Sequence, residues 1–191
     1  MPRNIEAGST EPEQEELTDQ ERIEKEKENM LAYSERCGAT SYFALTGKLP
    51  PKEFKPAGDE KNLDFLFFGE LNIKPEKPLL NPEDYIKTFA KHIEEVKQRN
   101  DKPMTEKQIE DAKEITYISS VDGKGRKVTD ENWRRYSFAG TKEHNELVIE
   151  QMQATLKGFS QTALESGDEK THDLVQEILS VDNYKNEGSW I

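Results

Sequence analysis

Several kinds of residue are scarce in this chain of 191 residues, and each shortage excludes a class of protein. Cys37 is the single cysteine, so no intramolecular disulfide can form, as is usual in a reducing compartment. The three histidines include no HExxH pair, because His144 stands alone in its segment, so we expect no metal site. No apolar run reaches the roughly 18 residues of a membrane helix, so we expect no membrane span.

Signals for export and for common cofactors are also missing. The first residues contain no apolar core of a Sec-type signal peptide. We therefore expect a soluble protein that is cytoplasmic, or effector-like and delivered to another cell without such a signal. The chain has no G-x-G-x-x-G, no complete P-loop and no calcium loop, so the sequence predicts no cofactor.

Negative charge is abundant and is concentrated at the front of the chain. The net charge is −12, and residues 1–36 hold eleven acids and five bases, which gives −6 for that segment alone. Such acidity argues against binding to nucleic acid. The complementary expectation is another protein whose basic surface faces the acidic arm, by which we mean residues 1–36.

The charge distribution predicts four parts. They are a disordered acidic tail over 1–16, a charged helix over 17–36, a globular α+β domain over 37–182 and a polar C-terminal tail over 183–191. Thr18 and Glu21 form a capping box that opens the charged helix, and Gly38 is expected to end it. The run from Glu21 to Glu28 is read as an almost wholly solvated face.

The remaining pattern predicts an α+β fold, with four to five helices packed on a small antiparallel sheet. An aromatic run over 63–69 is expected to be a buried strand, and residues 115–121 and 126–129 a hairpin around an Asp122–Gly125 turn. Further helices are predicted from Asn81, from Thr105 to about 113, from about 141 to 166 and from Thr171.

The sharpest local motif is the nine-residue segment from Cys37 to Leu45, CGATSYFAL. It resembles the nucleophile segment of papain-like cysteine peptidases, especially the bacteriocin-processing type. The resemblance implies that Cys37 opens a helix and acts as a nucleophile, because a helix N-terminus favours the thiolate and supplies an oxyanion-hole amide. His144 or His92 would then be the base of a small cysteine hydrolase or acyltransferase.

A basic and aromatic segment stands out against the acidic background. We call it the basic patch, and it consists of Lys124, Arg126, Lys127, Trp133, Arg134, Arg135 and Tyr136. Guanidinium groups beside aromatic rings suit a phosphate, a nucleotide or an acidic peptide. An ordinary hairpin tip whose aromatic residues turn inward is the other interpretation.

The leading hypothesis is a protein–protein interaction or regulatory protein, such as an adaptor, an inhibitor or an effector-like protein, which binds its partner through charged surfaces. The chain has a charged arm and a basic patch but no complete catalytic constellation. The cysteine hydrolase, and a nucleotide- or phosphate-binding domain that uses residues 124–135, stay open as alternatives.

Overall fold

The computed structural model describes residues 17–57 and 79–187, and over these ranges it is a small α+β fold. The described part has five α-helices, one 3₁₀ helix and one antiparallel hairpin. The helices are α1 (Asp19–Thr46), α2 (Pro82–Lys97), α3 (Glu106–Lys113), α4 (Lys142–Glu165) and α5 (Glu169–Glu187); the strands are β1 (Thr116–Ile118) and β2 (Gly125–Lys127), and the 3₁₀ helix is Trp133–Tyr136. The acidic tail over 1–16 and the strand predicted over 63–69 lie outside the described residues.

Helix α1 begins where the sequence predicts and ends much later. Thr18 and Glu21 form the capping box, in which the Thr18 side chain accepts from the Glu21 amide and the Glu21 carboxylate accepts from the Thr18 amide. The helix does not end at residue 36: it continues to Thr46, and Gly47 caps it in the left-handed conformation at φ 67°. The predicted division between a charged helix and a domain starting at 37 therefore falls inside one continuous helix.

Gly38 is a packing residue and not a helix cap. A Cβ atom built on Gly38 would lie 1.9 Å from the Thr155 carbonyl oxygen of α4, and one built on Gly158 would lie 1.9 Å from the Glu35 carbonyl oxygen. Two helices can approach this closely only where neither has a side chain at the crossing. The pair of glycines thus brings the backbones of α1 and α4 into direct contact.

The main hydrophobic core surrounds this crossing. Tyr42 of α1 packs edge to face on Phe159 of α4, with ring centroids 5.3 Å apart. Tyr85 of α2 stacks on Phe159 at 4.3 Å and on Phe89 at 4.7 Å. These aromatic contacts join α1, α2 and α4, and Val175 of α5 completes the same buried cluster.

The hairpin matches its prediction, although its strands are shorter. Thr116 pairs with Lys127 and Ile118 with Gly125, in antiparallel register around a turn in which Gly123 has φ 69°. Trp133 and Tyr136, which follow the hairpin, lie in the 3₁₀ helix. A second core cluster lies there, built on Met104, Ala112, Tyr117 and Val128, with Trp133, Tyr136 and Phe138 packed against it.

The starts of α2, α3 and α4 follow the capping signals in the sequence. Asn81 caps α2 with Pro82 at its first turn, Thr105 and Gln108 form a capping box on α3, and Thr141 caps α4. Helix α5 runs through Glu187 and so overlaps the predicted polar tail. Among the helices described, none is long and apolar enough to cross a bilayer.

Candidate binding groove

A buried hydroxyl links α1 to the hairpin. The Tyr117 hydroxyl accepts from Arg22 Nη1 at 2.9 Å and from Asn132 Nδ2 at 3.0 Å, and it donates to Glu26 Oε2 at 3.0 Å. One donor and two acceptors are the full capacity of a neutral hydroxyl. Burial, and then the neighbouring Glu26, raise the pKa of Tyr117, so the hydroxyl keeps the proton that it donates.

The two charged members of this network are almost completely buried. Arg22 is 4% exposed and Glu26 is 1% exposed. Arg22 also donates to Asp19 at 2.8 Å, and its Nη1 lies 3.6 Å from Glu26 Oε1. The prediction of a solvated α1 face was therefore wrong at Arg22 and Glu26, because that face packs against Tyr117 of the hairpin.

Arg135 of the 3₁₀ helix approaches the same carboxylate from the other side. Its Nη1 lies 3.6 Å from Glu26 Oε2, which is ion-pair distance but too long for a hydrogen bond. Within the described residues neither Arg135 Nη1 nor Glu26 Oε1 makes a hydrogen bond. The Arg135 guanidinium also lies over the Tyr136 ring, 5.8 Å from its centroid.

A groove of about 600 Å³ runs along α1 beside this network, and we call it the α1 groove. Its lining residues are Asn29, Met30, Ala32, Tyr33, Arg36, Ser120 and Arg135. Arg36 and Arg135 supply its charge, and the lining contains no acid. Arg36 lies over the Tyr33 ring at 5.4 Å, and it forms no ion pair with the residues that the structure describes.

A smaller cavity of about 80 Å³ adjoins the α1 groove and shares Met30 and Arg135 with it. Glu26 and Glu150 also line this cavity. Its space is thus several times smaller than that of the α1 groove. The α1 groove is therefore the larger of the two spaces.

The structure pairs most cations of the basic patch with carboxylates of the protein itself. Arg126 pairs with Asp122, and its hydrogen bond to that carboxylate lowers the pKa of Asp122 to about 2. Arg126 also approaches Asp19 at 4.0 Å. Lys127 lies 3.1 Å from Glu114. These contacts neutralise much of the positive charge that the sequence alone suggested for this surface.

The other members of the basic patch are placed on different sides of the same segment. Arg134 pairs with Glu146 at 3.1 Å and with Glu150 at 3.0 Å, on α4. Trp133 and Tyr136 pack on the second core cluster, and burial raises the pKa of Tyr136 to about 12. Lys124 is exposed at the hairpin turn. Arg135 is the member that lines the α1 groove.

The structure places the residues of the hydrolase alternative on three different helices. Cys37 lies inside α1, next to the glycine crossing, and opens no helix. His144 lies in the first turn of α4, which places it about 16 Å along the helix axis from Thr155 at that crossing. His92 is on α2, with its Nδ1 3.3 Å from Glu95 Oε2. The structure thus leaves Cys37 without a helix N-terminus and does not bring His144 to it.

Sequence reasoning missed the α1 residues of the site: Arg22, Glu26, Asn29 and Arg36. A signal for some of them was present, because Arg22, Glu26, Met30 and Tyr33 recur at intervals of three or four residues, which places them on one side of a helix. Because two of these four positions carry charged residues, a search for apolar residues at helical spacing does not detect them.

No group of three or more histidine, cysteine, aspartate or glutamate side chains suited to a metal ion occurs within 17–57 and 79–187. Comparison with known proteins found no match of this chain to a family model, a curated protein or a solved structure.

Proposed function

We propose that this protein binds a partner protein by holding an acidic segment of that partner in the α1 groove. The observation that carries the proposal is a contrast of charge. The chain has a net charge of −12, yet the charged residues that line its α1 groove, Arg36 and Arg135, are both arginines. A guanidinium presents several N–H donors in one plane, which suits a carboxylate with two oxygen acceptors.

The way in which the two arginines are held supports recognition of a carboxylate. Each guanidinium lies over a tyrosine ring, Arg36 over Tyr33 and Arg135 over Tyr136. A stacked guanidinium keeps its edge available for hydrogen bonds and loses less side-chain freedom when a ligand arrives. Asn29 and Ser120 line the same groove, where Asn29 Nδ2 donates to Ser120 Oγ at 3.2 Å, and the Asn29 amide oxygen can accept from the backbone of a bound segment.

The exposure of the lining favours a protein segment over a small metabolite. Asn29, Ala32, Arg36 and Ser120, four of the seven lining residues, are exposed. A small-molecule site normally encloses most of its ligand. An open groove along a helix instead contacts one side of an extended chain, whose other side faces solvent.

The negative charge of the whole protein limits how this binding works. It repels an acidic partner at long range, but at physiological ionic strength exposed charges are screened beyond about 8 Å. Short-range contacts with Arg36 and Arg135 therefore have to supply the affinity.

A separate prediction, that a basic partner faces the acidic arm, stays a prediction. Its described support is limited to exposed acids on α1 such as Glu24 and Glu28.

The test is fluorescence polarisation with three labelled peptides of equal length, in which serine alternates with glutamate, with lysine or with glycine. The protein is compared with Arg36→Gln, Arg135→Gln and the control Arg99→Gln, which removes an exposed charge outside the α1 groove. We expect the glutamate peptide to bind best, and each groove variant to weaken it about tenfold, or ~1.4 kcal/mol.

Three results would contradict the proposal. The glutamate peptide would bind no better than the glycine peptide, the control Arg99→Gln would weaken binding as much as the groove variants do, or the lysine peptide would bind best. The last result would transfer support to a partner with a basic surface.

A further inference from the structure

Arg135 belongs to two sites at once, and this suggests how the α1 groove is controlled. Its side chain lines both the α1 groove and the adjoining cavity. On the cavity side it faces Glu26 at 3.6 Å without a hydrogen bond, and its side chain keeps 29% of its surface exposed. The ion pair between Arg135 and Glu26 thus lacks a hydrogen bond, and solvent, and therefore a ligand, can reach the Arg135 side chain.

Glu26 can lose Arg135 without becoming an isolated buried charge. Its Oε2 still accepts from the Tyr117 hydroxyl at 3.0 Å, and its Oε1 lies 3.6 Å from Arg22. A buried carboxylate that lost all its partners would be strongly destabilising, whereas one that keeps a cation and a hydrogen bond is tolerated. The network therefore allows Arg135 to move.

Two other cations near this carboxylate pair with acids of α4 instead. Arg134 pairs with Glu146 and Glu150 of α4, and Lys27 lies 3.5 Å from Glu150. Neither forms an ion pair with Glu26 in the part of the chain that is described. Arg135 is thus the cation that Glu26 and an incoming acidic group both face.

We propose that Glu26 is an internal competitor of the ligand for Arg135, so that the affinity of the α1 groove for an acidic segment is set by this buried glutamate. The inference rests on the proposed function of the groove. In the unbound protein Arg135 is shared with Glu26 at ion-pair distance. A ligand carboxylate gives it the hydrogen-bonded pair that Glu26 does not, while Tyr117 and Arg22 hold Glu26 in place.

Two substitutions act on this competition in opposite directions. Glu26→Gln removes the competing charge but keeps the shape of the side chain and an oxygen that accepts from Tyr117. Tyr117→Phe removes the hydroxyl that holds Glu26 Oε2, so Glu26 is left to pair more closely with Arg135. We expect the first change to release Arg135 to the α1 groove and the second to withdraw it.

The experiment measures the availability of Arg135 without any ligand. Phenylglyoxal modifies exposed arginines, and mass spectrometry gives the rate at each position, with Arg36 and Arg99 as internal references. We expect Glu26→Gln to raise the Arg135 rate several-fold and to tighten binding of the glutamate–serine peptide about fivefold, while Tyr117→Phe lowers both. Far-ultraviolet circular dichroism of each variant confirms that it is folded.

The outcomes separate this inference from the proposed function. Equal Arg135 rates in all three proteins, or shifts of the same sign in both variants, overturn the competition even if the peptide binds. Opposite shifts in the rate without any peptide binding support the shared ion pair and overturn the proposed function. Should Glu26→Gln fail to fold, Tyr117→Phe decides: unchanged Arg135 reactivity and unchanged peptide affinity overturn the inference.

Discussion

The Tyr117 hydroxyl is the single atom whose removal should most weaken the described fold at this site. It satisfies Arg22, Asn132 and Glu26 together, and all three are at most 5% exposed. Tyr117→Phe keeps the ring, which packs on Tyr136 at 4.7 Å, and removes this hydroxyl alone. Each buried group that loses its partner costs about 1–3 kcal/mol.

The three groups are not equally affected, and this fixes the expected magnitude. Arg22 keeps its hydrogen bond to Asp19, and Glu26 keeps two nearby cations, Arg22 and Arg135. Asn132 Nδ2 has no second hydrogen-bond acceptor within the described residues. We therefore expect Tyr117→Phe to lower the free energy of unfolding by about 2–3 kcal/mol, near the cost of one fully orphaned group plus partial losses at the other two.

Urea denaturation followed by circular dichroism is the assay, and Tyr136→Phe is the matched control. Tyr136 belongs to the same aromatic pair, but its hydroxyl makes no hydrogen bond to a described residue, so its removal should change stability by less than about 0.5 kcal/mol. An unchanged m-value would show that the denatured states are comparable. If Tyr117→Phe were as stable as the control, the assignment of this hydroxyl as the centre of the network would be refuted.

Three further predictions follow from other parts of the structure. Gly38→Ala should lower the free energy of unfolding by about 3 kcal/mol or prevent folding, because its Cβ would meet an α4 carbonyl. Gly125→Ala is the matched control and should be nearly neutral in the same denaturation assay, because its Cβ would lie 3.9 Å from Thr116 Cγ2. The Asp122 carboxyl should titrate by NMR at pH about 2, below its ordinary pKa of 3.8, and its pKa should rise toward 3.8 in Arg126→Gln. Because the pKa is lowered in the folded protein, the stability that the carboxylate contributes is present above about pH 4 and is lost between pH 4 and pH 2. A titration midpoint near 3.8 in the unsubstituted protein would contradict this prediction. Alkylation of Cys37 at neutral pH should be no faster than that of a simple thiol, because the residue lies inside α1 and not at a helix N-terminus. Rapid alkylation would support the hydrolase alternative.

Local chemistry was enough to predict much of the fold. The capping boxes at Thr18 and Thr105 and the Asn81–Pro82 start each satisfy backbone groups within a few residues, so the sequence alone located three helix starts. The Asp122–Gly125 turn was predicted from its own residues in the same way. In the structure its Gly123 adopts the positive φ that such turns need.

What failed depends on contacts between segments far apart in the chain. Gly38 looks like a helix cap until Gly158 is known to lie against the same helix, because only then is its missing side chain a packing requirement. Likewise Arg22 and Glu26 look solvated until Tyr117 is placed between them. A hydrophobicity pattern cannot show that a charged side chain will be buried by a partner hydroxyl from another element.

The basic patch shows the same limit, because here the sequence suggested a surface that the structure divides. Its sequence suggested one positive surface, but Arg126, Lys127 and Arg134 each turn to a different carboxylate of the protein. Arg36, which lies outside the patch, joins Arg135 in the α1 groove instead. The candidate site therefore takes one arginine from each of two segments, and only the three-dimensional structure, which places Arg135 beside α1, reveals the pair.

Under the proposed function, the buried charges of this network are better explained by binding than by stability. Replacing a buried ion pair by apolar groups of similar volume is often neutral or stabilising, so Arg22 and Glu26 are weak candidates for the source of the stability of the fold. An apolar pair at these positions would still pack α1 on the hairpin. It would, however, leave Arg135 without the carboxylate that competes with a ligand for it between the cavity and the α1 groove. The arrangement is thus the one expected where a buried carboxylate limits how far an arginine is available to a ligand, and the opposite effects of Glu26→Gln and Tyr117→Phe on Arg135 follow from it.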